Sequence, residues 1–186
     1  MDIGKLQELF HLKKENEIID GLTHFPELIN IHFSPISEFS PFLFAAEQGL
    51  LSVVDFLVSK GVNVHQKDIH DRNAVFYATS KGHVEMVKKL HALGVDIDNK
   101  SFLLETPFIY ACVYNELDIL KFLIEHGADI NQENTDGYSL FYLMRSGNCR
   151  IELSYLLKHM DKFNEENQKE LKKLRLKHVV EKGSLK

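Results

Sequence analysis

The chain has 186 residues, 44% of them hydrophobic and 26% charged, with a formal net charge of -5 at pH 7. That balance excludes an intrinsically disordered chain, and a domain of this length buries a sizeable core. No apolar run approaches the roughly 18–20 residues of a membrane-spanning helix, and the opening "MDIGKLQELFHLKKENE" lacks the apolar centre of a secretion signal.

Taken in chain order, "IGKLQELFHLKKENEIIDGLTHFPELINIHF" predicts an apolar helix, a polar turn at 13–16 and a second helix around "EIIDGL". Four related stretches follow, each 33 residues after the last: "SPFLFAAEQGLLSVVDFLVSKGVNVH" (40–65), "NAVFYATSKGHVEMVKKLHALGVDID" (73–98), "TPFIYACVYNELDILKFLIEHGADIN" (106–131) and "SLFYLMRSGNCRIELSYLLKHMDKFN" (139–164). Gly49, Gly82, Asn115 and Asn148 share one position of this repeat. Gly61, Gly94, Gly127 and Met160 share another, 12 residues on. The first set is expected to end one helix, because glycine enters the left-handed conformation freely and asparagine is its usual substitute.

Between the two sets the apolar residues recur at three and four, as in Val53, Val54, Leu57 and Val58 or Ile119, Leu120, Leu123 and Ile124. That spacing predicts a helix with one buried face. The mostly apolar segment ahead of it, "PFLFAAEQ" or "PFIYACVY", predicts another. Ser40, Asn73, Thr106 and Ser139 are all N-cap residue types, and Pro41 and Pro107 suit the first helical turn. After Asn164, "EENQKELKKLRLKHVVEK" places Leu171, Leu174, Val179 and Val180 at mostly helical intervals and predicts a capping helix. The rival reading is a basic tail that orders only on a partner.

The two cysteines, Cys112 and Cys149, sit at non-equivalent positions of the repeat, against a disulfide framework. Cys112 takes the small buried slot that Ala46 takes in the first unit. Cys149 is expected to open an outer helix, whose field lowers a thiol pKa. These features favour a reducing, cytoplasmic compartment, with secretion without a cleavable signal left open.

The 33-residue period, the Thr106–Pro107 pair and the "GADIN" of 127–131 resemble the ankyrin repeat. The resemblance implies an all-α fold: an ankyrin-repeat solenoid of stacked helix-turn-helix units with short hairpin-like loops and capping helices at both ends. It divides a single domain, 1–186, into a degenerate N-terminal capping repeat (2–34), repeats at 35–67, 68–100, 101–133 and 134–164, and a C-terminal helix or basic tail (165–186). Two departures stand out. The family's usual histidine is replaced by Leu43, Phe76, Ile109 and Tyr142, and its turn glycine survives only as Gly137, with Glu38, Asp71 and Leu104 elsewhere. Less regular hairpin turns are therefore expected in the first three units. The family's asparagine-hydroxylation context is matched only around Asn131.

Residues 1–168 carry 25 acids and 15 bases, whereas 169–186 carry seven bases and two acids. An acidic body repels nucleic-acid phosphates, so nucleic acid is an unfavoured partner, reachable only through the tail. The ten histidines show no His-Glu-x-x-His, and the chain has no Cys-x-x-Cys, phosphate loop or Gly-x-Ser-x-Gly. No catalytic residue, metal ligand or cofactor is assigned, and the chain is read as a non-enzyme.

The resemblance instead implies partner contacts at the turn tips and the open side of the inner helices. On this chain those are Phe39, Ile69, His70, Arg72, Lys81, Phe102, Leu103, Glu105, Val113, Tyr114, Asp136 and Tyr138, with Ile36 and Ser37 also in the first unit. Apolar anchors with a charged rim have the makeup of an interface. Folding of the same side chains onto the repeat is the competing account.

The function expected is a protein–protein interaction module of inhibitor or adaptor type, binding another protein on its concave face. A microbial toxin-neutralising (immunity) or host-targeting effector protein is an alternative. Binding of nucleic acid or an anionic surface through the tail is an alternative of another class. An end face left open also permits a homo-dimer.

Overall fold

The computed structural model describes residues 1–33 and 38–183, with side chains as far as Arg175. Ile36, Ser37 and the side chains of Val179 and Val180 lie outside the described residues. The described part is helical, and its one isolated β-bridge joins Lys67 to Asn73. Helices α1 (Ile3–His11) and α2 (Glu15–His24) come first. Four pairs follow: α3 (Pro41–Gln48) with α4 (Leu51–Ser59), α5 (Ala74–Ser80) with α6 (Val84–Ala92), α7 (Pro107–Val113) with α8 (Leu117–Glu125), and α9 (Leu140–Arg145) with α10 (Leu153–Lys158). Helix α11 (Glu165–Gly183) ends the array.

Each inner helix starts where its cap residue dictates. The side chains of Ser40, Asn73, Thr106 and Ser139 accept hydrogen bonds from Leu43, Phe76, Ile109 and Tyr142 N–H respectively, pairing an N–H that the helix itself leaves unbonded. Pro41 and Pro107 occupy the first turn, where no donor is needed.

The apolar face of every pair then turns inward. Phe42, Val75, Phe108 and Phe141, one per unit, are all buried. So are Leu43, Phe76 and Ile109, which fill the slot of the expected histidine, whereas Tyr142 in the fourth unit is exposed. Full burial of such a side chain contributes about 1.5–3 kcal/mol. Inner helices α3, α5, α7 and α9 lie side by side, with α4, α6 and α8 behind them, and α10 is tied to α8 by the Tyr155 hydroxyl, which donates to Glu125 at 2.9 Å. Helices α1 and α2 cover the open end of α3 and α4, and α11 packs on α10, burying Leu171.

Three sequence expectations are corrected. The first concerns the tips. Glu38, Asp71 and Leu104 take φ of 50°, 60° and 56°, beside 76° at Gly137, so all four tips keep the left-handed turn without the glycine. In the second, third and fourth units side-chain clamps explain how. Asp68, Ser101 and Asn134, spaced by 33, each accept hydrogen bonds from two backbone N–H groups of their own tip: those of His70 and Arg72, Leu103 and Glu105, and Asp136 and Tyr138. These bonds offset the roughly 1–2 kcal/mol that a left-handed non-glycine residue costs.

The second correction is that the residue ending α9 in the left-handed conformation is Gly147, φ 79°, and not Asn148. The repeat is one residue short there. Asn148 N–H bonds Leu143 O, the bond that His83 and Glu116 make to Ala78 and Ala111 in the two central units. Thirdly, the outer helix of the fourth unit begins only at Leu153, leaving Cys149 on a connecting segment. Its far end passes into a single 3-10 turn, Met160–Lys162, in place of the glycine turns at Gly61, Gly94 and Gly127.

Candidate functional site

The tips of the second, third and fourth units form one continuous margin. Phe102 N–H donates to His70 O at 2.9 Å, and Thr135 N–H donates to Leu103 O at 3.1 Å. The dipeptide Phe102–Leu103 is thus bonded on either side to a neighbouring tip. Its side chains are not folded away: Phe102 is 76% exposed, and Leu103 and Leu104 are each 49% exposed. Between the second and third tips lies a groove of about 520 Å³, with Phe102, Leu103 and Tyr110 as its apolar lining and His70, Arg72 and Glu105 as its polar edge.

The groove is built on a rigid base. The buried Asp68 carboxylate accepts from Arg72 Nε (2.9 Å), Arg72 Nη2 (2.7 Å) and the Tyr77 hydroxyl (2.6 Å), besides its two backbone donors. Burial pushes this carboxyl up, but the bonds from Arg72 and Tyr77 outweigh burial and hold it below its ordinary value. Burial, with Asp68 alongside, pushes the Tyr77 phenol well up. Across the groove the Tyr110 hydroxyl donates to Glu105 at 3.2 Å, and burial and the Glu105 charge raise Tyr110 too.

A family model described as "Ankyrin repeats (3 copies)" matches residues 42–134, half of the chain. The chain belongs to the ankyrin repeat family. Among curated proteins none matches it. The three matched copies run to the tip of the fourth unit, beyond which the register shift and the shortened outer helix begin. Ankyrin repeats are in general protein–protein interaction modules, and the family is typically non-catalytic. Among the described residues no helix is long and apolar enough to cross a membrane.

Against this ankyrin frame the candidate contact residues fall into two groups. Ile69, His70, Phe102, Leu103 and Asp136 are exposed on the tips, and Val113 and Tyr114 are exposed at the end of α7, the Tyr114 ring 5.6 Å from that of Tyr110. These the structure gathers along one surface. Lys81 is exposed as well but sits 3.4 Å from Glu47.

The remaining four are partly engaged by the repeat itself. Phe39 packs between Phe44 and Tyr77, with ring centroids 5.5 and 4.8 Å away. Arg72 is held by Asp68, Glu105 receives the Tyr110 hydroxyl, and Tyr138 stacks on Tyr142 at 5.2 Å.

Sequence reasoning passed over Asp68, Tyr77, Tyr110 and the clamps Ser101 and Asn134. A signal existed, since residues 68, 101 and 134 are acceptor side chains at the repeat spacing, three before the left-handed Asp71, Leu104 and Gly137.

Both cysteines are free and buried. Burial, together with its neighbour Cys149, raises the Cys112 thiol well above its ordinary value. The Cys149 thiol is lowered, by the hydrogen bond from Cys112 and that of Ile151 N–H. No helix N-terminus is involved, because α10 starts four residues later. The Asn131 amide is fully engaged: Nδ2 donates to Lys162 O at 3.1 Å, and Oδ1 accepts from Asn164 N–H and Asn167 Nδ2, each at 2.9 Å. It ties the start of α11 to the linker before the fourth tip. His91 and His126 lie on the outer side of the array, packed around Phe122.

Proposed function

We propose that this chain is a non-catalytic docking protein that holds another protein against the tips and inner helices of its central and fourth units, in the manner of an inhibitor or adaptor. Residues 1–186 act as one domain in this reading, with 2–34 and 165–186 closing its two ends. The observation that carries it is the row of exposed apolar side chains on this one surface, Phe102, Leu103, Leu104, Val113 and Tyr114. Isolated exposed apolar residues are ordinary, but a contiguous patch of them marks a contact surface. The groove beside it has tyrosine, arginine and glutamate at its edge, the aromatic-centred and polar-rimmed composition of an interface.

The mechanism would be occlusion. A preformed surface covers its target without reacting with it, and its ordered tips leave little side-chain or loop entropy to lose on binding. Affinity capture from the native source with the wild type and with the double variant Phe102→Ala, Tyr114→Ala tests the reading. A captured protein should be lost from the double variant while its helical circular dichroism is unchanged. A captured protein that is retained places docking elsewhere on the molecule.

A further inference from the structure

Resting on that docking reading, we propose that the groove takes a basic polypeptide segment: an aliphatic or aromatic anchor residue with Lys or Arg on both sides of it. The argument comes from where the tips place their charges. Phe102 is bonded to His70, and the next residue on that tip is Asp71. Leu103 is bonded to Thr135, and the next residue on that tip is Asp136. The apolar pair is therefore flanked by one exposed carboxylate on each side, with Glu105 at the groove edge between them.

The cations nearby do not offset these acids. Arg72 is committed to Asp68 through Nε and Nη2, and Lys81 faces Glu47. Among the described residues no Lys or Arg lies within ion-pair distance of Asp71, Glu105 or Asp136. The acid–apolar–acid order on the protein is matched by a cation–anchor–cation order on the segment that fits it. The anchor seats in a groove of about 520 Å³ with room for its neighbours, and the flanking charges find unneutralised partners.

The surrounding field points the same way, since residues 1–168 carry 25 acids against 15 bases. Such a field accelerates the approach of a cationic segment and repels phosphate backbones. It also opposes a second copy of this chain on the same face, because the two acidic surfaces would meet.

A phage-displayed library of random peptides of about 12 residues, which reach about 40 Å when extended, tests the proposal. Selection is run on the full chain, on Phe102→Ala, and on a triple variant Asp71→Asn, Glu105→Gln, Asp136→Asn, each checked by thermal melting. The winning peptides are then measured by fluorescence anisotropy.

The expected winners carry Lys or Arg on both sides of a Leu, Ile, Phe or Tyr. They should lose about tenfold or more in affinity on either variant, and raising the salt should weaken wild-type binding far more than binding to the triple variant. Winners that are neutral or acidic but still depend on Phe102 overturn the charge proposal and leave the docking surface standing. Winners indifferent to Phe102, or none at all, overturn both. A concentration-dependent dimer in sedimentation that Phe102→Ala abolishes assigns the face to a second copy and also overturns the proposal.

Discussion

The second and third units and the fourth unit share a period, yet they solve different problems. In the central units each outer helix runs nine residues, begins directly after the inner turn, and ends at Gly94 or Gly127 in the left-handed conformation. In the fourth the inner helix has six residues, the repeat is one residue short at Gly147, and the outer helix also has only six. A central unit has another repeat on both sides, so its helix faces must match theirs. The fourth meets α11 instead, and Arg145 reaches across to Glu170 at 3.6 Å. Tip geometry nevertheless survives in both, because it is held locally by Asp68, Ser101 and Asn134. Constraint from neighbours thus sets helix length, and constraint within the loop sets the turn.

Substitutions that act on one region and not the other put this contrast at risk. The largest effect is expected from Asp68→Ala, which leaves Arg72 and Tyr77 without their shared acceptor and unfastens the second tip. Chemical denaturation should show a loss of about 3 kcal/mol, or roughly 6–12 °C in Tm for a chain of this size. The same carboxyl predicts an acid limb. Its folded pKa lies below its unfolded one. Its contribution is therefore present above the ordinary Asp value of about 3.9 and is lost as pH falls from there through the lower folded value. Asp68→Ala should flatten that limb; an unchanged one removes the clamp's electrostatic role.

Leu171→Ala empties a buried position on α11 and should cost about 2 kcal/mol. In a stacked array the loss should stay near its end. Hydrogen exchange should quicken across α9 and α10 while α3 to α6 keep their protection. Uniform loosening of all four units would mean that the fourth is no more separable than the others.

Asn131→Ala should act on the same junction more weakly, by about 1 kcal/mol, since it deletes bonds without opening a cavity. Exchange should quicken first at the Asn164 backbone N–H, which loses its acceptor, while the Asn167 side chain loses the same partner. The smallest effect is a gain. Leu104→Gly relieves a left-handed leucine and should stabilise the third tip by up to about 1 kcal/mol, measured by thermal melting. A loss there would mean that the Leu104 side chain contributes packing that outweighs its backbone strain.

The helix pairs, the caps and the buried faces were readable because each is a local pattern repeated four times. What escaped reading depends on partners distant in sequence or on a shift of one residue. The residue that ends α9 is Gly147 and not Asn148, and two small turn residues in succession do not say which of them does so; the late start of α10 at Leu153 is a separate departure from the repeat. Regular tips at Asp71 and Leu104 were not expected, since the substitution for glycine is visible at those positions while the compensating acceptor stands three residues earlier. At the candidate surface, Phe39 and Phe102 read alike as apolar tip residues. One packs on Tyr77 of the next unit and the other stands in solvent, and only the assembled stack distinguishes them.

Backbone bonding from Phe102 to His70 and from Thr135 to Leu103 makes the rim of this protein behave as a ruler with fixed graduations. A target whose surface curves differently cannot be accommodated by moving a single loop, because each loop drags its neighbour. Discrimination between targets then resides in spacing as much as in side-chain chemistry. Lengthening one tip by a residue should alter what the molecule accepts more than exchanging any single side chain upon it.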